Sequence, residues 1–360
     1  MILTNNLNGG GAEKVLLTLL NNLSPSKYDV SLNLVFKSGV YLNSIPSHIK
    51  TKYIFDNNSN ASDLITNHSQ LLYEQYLQND CDIEIAFLEG NATKILSKST
   101  NKKSKKIDWV HIDLFNEHYT QKIYSSIQEE LATYSRFDQI AFVSEAALNG
   151  FELLFGNSLH SYSTVVYNPI DYVNIIEKSK EPLLAKKNKI TICTIGRLTP
   201  QKGYDNLIQA MSLLINEGFD FDLWILGEGK LEKQLKTLCT NLNLSHHVVF
   251  WGFQKNPYNY LNAADAFVCS SRTEGLSLVI GEALALRKPI ISTICSGPTE
   301  VLSKGNWGLL VECSKEGLYY GIKEFLTNPN SITILTDDSM NIYESFYGLK
   351  NYISRIEDIL

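Results

Sequence analysis

The second half of the chain alternates apolar runs with stretches of helical period. Runs suited to strands fall at 190–195, 223–226, 247–251, 265–269, 289–293 and 308–311, and apolar residues recur at helical spacing over 204–217, 231–242, 278–286 and 315–326. Strand and helix in alternation, joined by short turns, predict a parallel sheet covered on both faces, a doubly wound α/β domain. Ligands of such domains sit beyond the carboxyl ends of the strands. The first half carries the same signals less regularly. Met1-Ile-Leu runs into Asn8-Gly-Gly-Gly-Ala-Glu13 and then a helical stripe of Val15, Leu16, Leu19, Leu20 and Leu23, with further strands expected at 30–36, 83–88, 107–111 and 140–144. Over 37–80 no pattern is legible. Tyr167-Asn-Pro-Ile-Asp171 followed by the polar stretch Glu177–Lys189 reads as a hinge, and after about Ser331 the pattern is helical to the end. Two domains are expected, 1–168 and 172–341, with a terminal helix at about 342–360 packing back onto the first.

Composition narrows the class. A chain of 360 residues has room for two domains with sizeable cores, and 19% charged with 44% hydrophobic residues is the profile of an ordinary soluble enzyme. The net charge of −6 argues against a nucleic-acid scaffold, which needs a basic excess to replace counterions. With no apolar run of membrane-spanning length and no leader pattern, the expected location is cytoplasmic. Lys98, Lys102, Lys103, Lys105 and Lys106 form one basic cluster, an expected peripheral contact with anionic headgroups on the inner face of the plasma membrane. Three of the six cysteines, Cys193, Cys269 and Cys295, fall in or at the end of strand-like runs, and no CxxC pair occurs; all six read as reduced.

Candidate chemistry gathers at strand ends. Gly196-Arg197 closes the 190–195 strand and Lys202-Gly203 opens the next helix, so two cations and a helix N-terminus converge, an arrangement suited to a diphosphate. Glu274 lies in the loop ahead of Gly275. Glu282 lies on the following helix, on the side opposite the apolar stripe Val279, Ala283 and Leu286. Two carboxylates so placed suit hydroxyls on two parts of one ligand, as in a sugar nucleotide. The glycines Gly9 to Gly11 give a turn in which backbone approaches an anion closely. No nucleophile motif is recognisable, and Asp80-Cys-Asp82 and Asp220-Phe-Asp222 read as strand-entry residues rather than metal ligands, so neither metal nor cofactor is expected.

In order along the chain, Gly10-Gly11-Ala-Glu13, Gly196-Arg197, Lys202-Gly203, Gly227-Glu-Gly229, Trp251-Gly-Phe253 and Glu274-x7-Glu282 resemble a retaining glycosyltransferase of family 4. The resemblance runs from about residue 5 to residue 326 and implies the GT-B architecture, two Rossmann-like domains facing a central cleft. It further implies that Arg197 and Lys202, with Gly196, bind the donor diphosphate and that Glu282 holds the ribose. Glu274, with backbone N–H groups of Gly275, Leu276 and Ser277, would hold the donor sugar, while Gly10 and Gly11 approach the phosphate or the reacting sugar. Trp109-Val-His111-Ile-Asp113 matches the region where family members carry a histidine near the sugar's reactive face. The implied reaction moves a hexose or N-acetylhexosamine from a nucleotide diphosphate, UDP rather than GDP, to a saccharide or lipid-linked saccharide, in bacterial surface polysaccharide synthesis of the O-antigen or capsule kind. An epimerase or phosphorylase of the same fold, or a non-catalytic binding protein, are the alternatives.

Overall fold

The computed structural model describes residues 1–56, 61–183 and 186–360. The chain folds as two compact units, Met1–Pro169 with Lys350–Leu360, and Ile170–Leu349.

In unit 1, strands β1 (Ile2–Thr4), β2 (Ser31–Phe36), β3 (Lys50–Phe55), β4 (Ile83–Ala86), β5 (Lys105–Val110), β6 (Gln139–Phe142) and β7 (Ser163–Val165) form one sheet in the order 3-2-1-4-5-6-7. In unit 2, β8 (Ile190–Ile195), β9 (Phe221–Leu226), β10 (Val248–Gly252), β11 (Ala266–Cys269), β12 (Ile290–Thr293) and β13 (Leu309–Val311) form a second, in the order 10-9-8-11-12-13. Every strand pair is parallel, so each sheet carries helices on its faces and its inner strands are buried on both sides. That is why the inner strands read as unbroken apolar runs. The outermost strand β3 is different: Lys50 and Lys52 are exposed, only Ile54 is fully buried, and the mixed pattern hid the strand within the illegible 37–80 stretch.

The helix Tyr204–Asn216 shows how sequence period becomes packing. Leu207, Ile208, Met211 and Leu214, spaced three and four apart, are all buried in one cluster with Ile192, Leu223 and Ile225 of the sheet beneath. Each such side chain contributes roughly 1.5–3 kcal/mol by leaving water. Unit 1 adds an aromatic group on its other flank, where Tyr134 meets Phe151 edge-on at 4.9 Å and Phe151 meets Phe155 at 4.7 Å.

Two boundary expectations change. The region after Asp171 does not begin a hinge: Asp171 caps a helix, Tyr172–Ser179, and the Lys178 and Ser179 carbonyls accept from Asn256 and Asn262, so this stretch is built into unit 2. Residues 184–185 of the expected hinge lie outside the described residues. At the other end, the expected terminal helix is two helices, Asp337–Tyr347 and Leu349–Ile359, separated where Gly348 turns extended (φ −66°, ψ 142°). Tyr343 packs edge-on to Trp307, which keeps the first in unit 2. The second packs on unit 1 through buried Tyr352 and Ile356 and the Lys27–Glu357 pair at 3.0 Å.

The basic cluster is also less free than its sequence suggests. Lys105 and Lys106 lie in β5; the Lys105 ammonium donates to the Ile359 carbonyl and that of Lys106 to Asn101 and Ser104. No helix among the described residues is long and apolar enough to cross a membrane.

Candidate functional site

At the carboxyl end of the second sheet, two loops are stitched together. One follows β8 and carries the turn Pro200–Lys202; the other follows β11 and carries Ser270 to Ser277. Gly203 sits between turn and helix in the left-handed conformation (φ +62°), and a Cβ there would stand 2.1 Å from the Ser270 carbonyl oxygen. Only glycine lets the loops approach so closely. Ser270 Oγ donates to the Lys202 carbonyl at 2.8 Å and the Arg272 N–H to the Gln201 carbonyl at 2.7 Å. The Arg272 guanidinium grips Asp205 through two bonds of 3.0 and 2.8 Å, the bidentate geometry that fixes orientation as well as distance. Sequence reading passed over Arg272, although it lies inside the run that contains Glu274.

The stitching brings Lys202 and Glu274 together as an ion pair. Glu274 also accepts from Ser271 Oγ at 2.8 Å, and its carbonyl accepts from Gly297 N–H at 3.2 Å. Burial alone would lower the Lys202 ammonium, but Glu274 beside it reverses the balance and holds its pKa above the ordinary lysine value. The resemblance implies different parts of a ligand for Lys202 and Glu274; in the structure each is the other's partner. Together with Ser271 and Ser277 they line one pocket at the strand ends. Arg197 is exposed, near enough to Lys202 to repel it, and its guanidinium has no hydrogen-bond or ion-pair partner among the described residues.

Glu282 lies on the helix after the second loop, as its spacing implies. The helix Leu278–Ala285 is buried nearly all round, so the side opposite its apolar stripe is covered as well, and Glu282 is only 4% exposed. It accepts from Tyr258 Oη at 3.3 Å. Gly275, Leu276 and Ser277 lead into this helix, whose first N–H groups have no carbonyl within the helix to bond.

In unit 1, Gly10 caps the helix Gly11–Asn22. A Cβ on Gly10 would meet the Glu13 carboxylate oxygen at 2.3 Å, so the carboxylate already folds back onto the helix start, where an anion is favoured. His111 follows β5 directly. Its ring stacks on Trp109 at 6.3 Å and tilts against Phe87 at 4.9 Å, and both ring nitrogens are buried without a partner among the described residues. Burial pushes the imidazole down to about 3, so it is neutral. The residue that sequence reading missed here is Glu89, 2% exposed, which accepts the His111 backbone N–H. Burial pushes its carboxyl above the ordinary glutamate value. Among the described residues no group of three or more His, Cys, Asp or Glu side chains stands where it would hold a metal ion.

Comparison with known proteins meets this geometry. Residues 175–339 match the family model described as Glycosyl transferases group 1. The chain is 33% identical over 255 residues to an uncharacterized glycosyltransferase of Methanocaldococcus jannaschii, covering 68% of this chain and 61% of that one. It is 38% identical over 164 residues to the N-acetylgalactosamine-N,N'-diacetylbacillosaminyl-diphospho-undecaprenol 4-alpha-N-acetylgalactosaminyltransferase of Campylobacter jejuni, covering 45% of this chain and 44% of that one. The chain thus spans less than two thirds of the length of these curated relatives. In structure it is similar to Anabaena Alr3699/HepE in complex with UDP-glucose, with a TM-score of 0.79 at 20% identity, covering 99% and 98% of the two chains. The fold is GT-B, two Rossmann-like α/β units, and its second unit carries the similarity to the Glycosyl transferases group 1 family.

Proposed function

We propose that this protein is a retaining glycosyltransferase that moves a hexose or N-acetylhexosamine from a nucleotide diphosphate sugar, UDP rather than GDP, to a lipid-linked saccharide in surface polysaccharide synthesis. The observation that carries the reading is the Lys202–Glu274 pair at the carboxyl end of the second sheet, with the unpartnered Arg197 beside it. A diphosphate takes the two cations; the carboxylate, released from Lys202, turns to the sugar hydroxyls. Glu282, held by Tyr258, serves the ribose. The similarity to a UDP-glucose complex supports the nucleotide, and the Campylobacter relative, whose name carries a diphospho-undecaprenol acceptor, supports the lipid-linked saccharide.

In the mechanism that fits these residues, the acceptor hydroxyl attacks the face from which the diphosphate departs, and a phosphate oxygen takes its proton. Arg197, Lys202 and the N–H groups opening the Leu278–Ala285 helix hold the negative charge that grows on the leaving group. This assigns the charge-stabilising role to side chains and backbone, so turnover is expected to survive EDTA; loss of turnover with rescue by manganese would overturn that part. The full reading is tested by incubating the protein with a panel of UDP- and GDP-sugars, with and without lipid-diphosphate saccharides, and following products by mass spectrometry and anomeric configuration by NMR. Transfer with retained configuration from a UDP-sugar is the expected result. Epimerised nucleotide sugar, or no turnover of any donor, would overturn it.

A further inference from the structure

One carboxylate of unit 1 has no part in the chemistry above. Glu89 stands three residues past β4, and its two oxygens are used separately. Oε2 accepts the backbone N–H of His111 at 2.8 Å, and Oε1 accepts from Tyr119 Oη at 2.6 Å. One side chain therefore ties the end of β4 to the end of β5 and to the segment that follows. Glu89 forms no ion pair among the described residues; the charged group that bears on it is the acid Glu117, and Glu89 in turn raises the carboxyl of Asp108. Hydrogen bonding, not charge pairing, is what it supplies to its neighbours.

The group it holds is unusual. The His111 imidazole is fixed on its faces by Phe87 and Trp109, yet neither nitrogen has a partner among the described residues, although both are buried. A buried polar group without a partner costs free energy, and such groups persist where a ligand uses them. Nothing bonds the ring itself, so its direction depends on the backbone that carries it.

We infer that Glu89 is a positioning residue: by clamping the His111 backbone at the carboxyl edge of the first sheet, it keeps the imidazole presented to substrate with both nitrogens unspent. The inference rests on the proposed glycosyl transfer for what the imidazole meets. The clamp itself stands on the hydrogen bonds.

Two measurements on the full chain test it. Glu89→Ala removes both bonds, whereas Glu89→Gln keeps them: its carbonyl oxygen accepts from His111 N–H and its amide donates to the rotatable Tyr119 hydroxyl. In glycosyl transfer, Glu89→Ala is expected to lower kcat about 10- to 100-fold, the usual effect of losing an outer-shell orienting partner. KM for the sugar nucleotide stays near the wild-type value, and Glu89→Gln recovers most of the loss. In spectra of protein carrying nitrogen-15 histidine, the His111 ring gives one sharp set of signals in the wild type and in Glu89→Gln, and broadened or multiple signals in Glu89→Ala. Wild-type kcat in Glu89→Ala, equal damage in the alanine and glutamine variants, or unchanged His111 signals in Glu89→Ala would each overturn the inference. If the wild type transfers no sugar, the proposed function fails, and the histidine spectra still decide whether Glu89 orders the ring. Should Glu89→Ala not fold, Glu89→Met, which fills nearly the same space with no acceptor for the His111 N–H, takes its place in the comparison with Glu89→Gln.

Discussion

At the scale of single residues, the site separates side chains that serve only a ligand from those that also serve the fold. Arg197 is exposed and unpartnered among the described residues, so Arg197→Ala should cut transfer by roughly 10²-fold, the effect of losing one preorganised charge partner, while leaving the melting temperature unchanged. Lys202→Ala should do the same to transfer and also destabilise the protein by up to about 3 kcal/mol, because it strands the Glu274 carboxylate in a half-closed pocket. Equal melting temperatures for the two variants would show that the pair contributes nothing to stability. The glutamates separate in a second way. Glu282→Ala should weaken binding of both free UDP and the intact donor by about 1–3 kcal/mol, whereas Glu274→Ala should spare free UDP and lower turnover; calorimetry with both ligands distinguishes the roles. His111 adds a pH signature. Its imidazole is pushed from 6.5 down to about 3, so between those values the unfolded chain binds a proton that the native chain refuses. The native state therefore loses stability through this group as pH falls below 6.5, and neither gains nor loses above it. In urea unfolding at about pH 7 and about pH 5, the stability of wild type relative to His111→Leu should decline at the lower pH.

At the scale of elements, the two loops of the candidate site act as one object because they are joined at four points: Gly203 against Ser270, Ser270 on Lys202, Arg272 on Gln201 and Asp205, and Lys202 on Glu274. Gly203→Ala is expected to lower stability by at least about 1–2 kcal/mol from the left-handed backbone alone and to raise KM for the donor. Arg272→Lys, which keeps the charge and loses the fork, should raise KM with stability almost unchanged. Urea melts alongside kinetics check both. These joins also explain what the sequence disclosed and what it withheld. The strands of the second sheet were legible as apolar runs because burial on both faces leaves no place for polar alternation. The places of Arg197, Lys202 and Glu274 beyond strand ends, and of Glu282 on the following helix, were legible because strand ends and helix starts can be located from the same pattern. The Lys202–Glu274 pairing was not, since it joins residues 72 positions apart. Glu89 was invisible for the same reason: its partners lie 22 and 30 residues away, and nothing in Leu88-Glu89-Gly90 marks it. The burial of Glu282 could not be read from period alone, because an apolar stripe on one side of a helix does not say what covers the other, and this helix is buried nearly all round.

At the scale of the whole molecule, the last helix belongs to the first unit although it follows the second in the chain. Removing residues after Leu349 should therefore loosen unit 1, where Tyr352 and Ile356 are buried and Lys105 of β5 donates to the Ile359 carbonyl, and leave unit 2 as it was; hydrogen exchange read by mass spectrometry would show faster exchange in unit 1, β5 included, and not in unit 2. The expectation of a helix beginning near 342 missed the division because Gly348 stops one helix and a second begins at once, with no polar stretch between them. Where the chain enters and leaves unit 2 carries one more consequence. Ile170 pairs with Gly348, and the Ile170 N–H donates to the Tyr347 carbonyl at 2.7 Å. The second unit is thus a single uninterrupted cassette whose first and last residues touch, the geometry of an insertion. Such a cassette can be lifted out and replaced by that of a relative with only two junctions to match, side by side. If unit 2 holds the donor as proposed above, a chimera cut at 169/170 and 349/350 is expected to take the donor preference of whichever protein lent residues 170–349, read by turnover of a panel of nucleotide sugars.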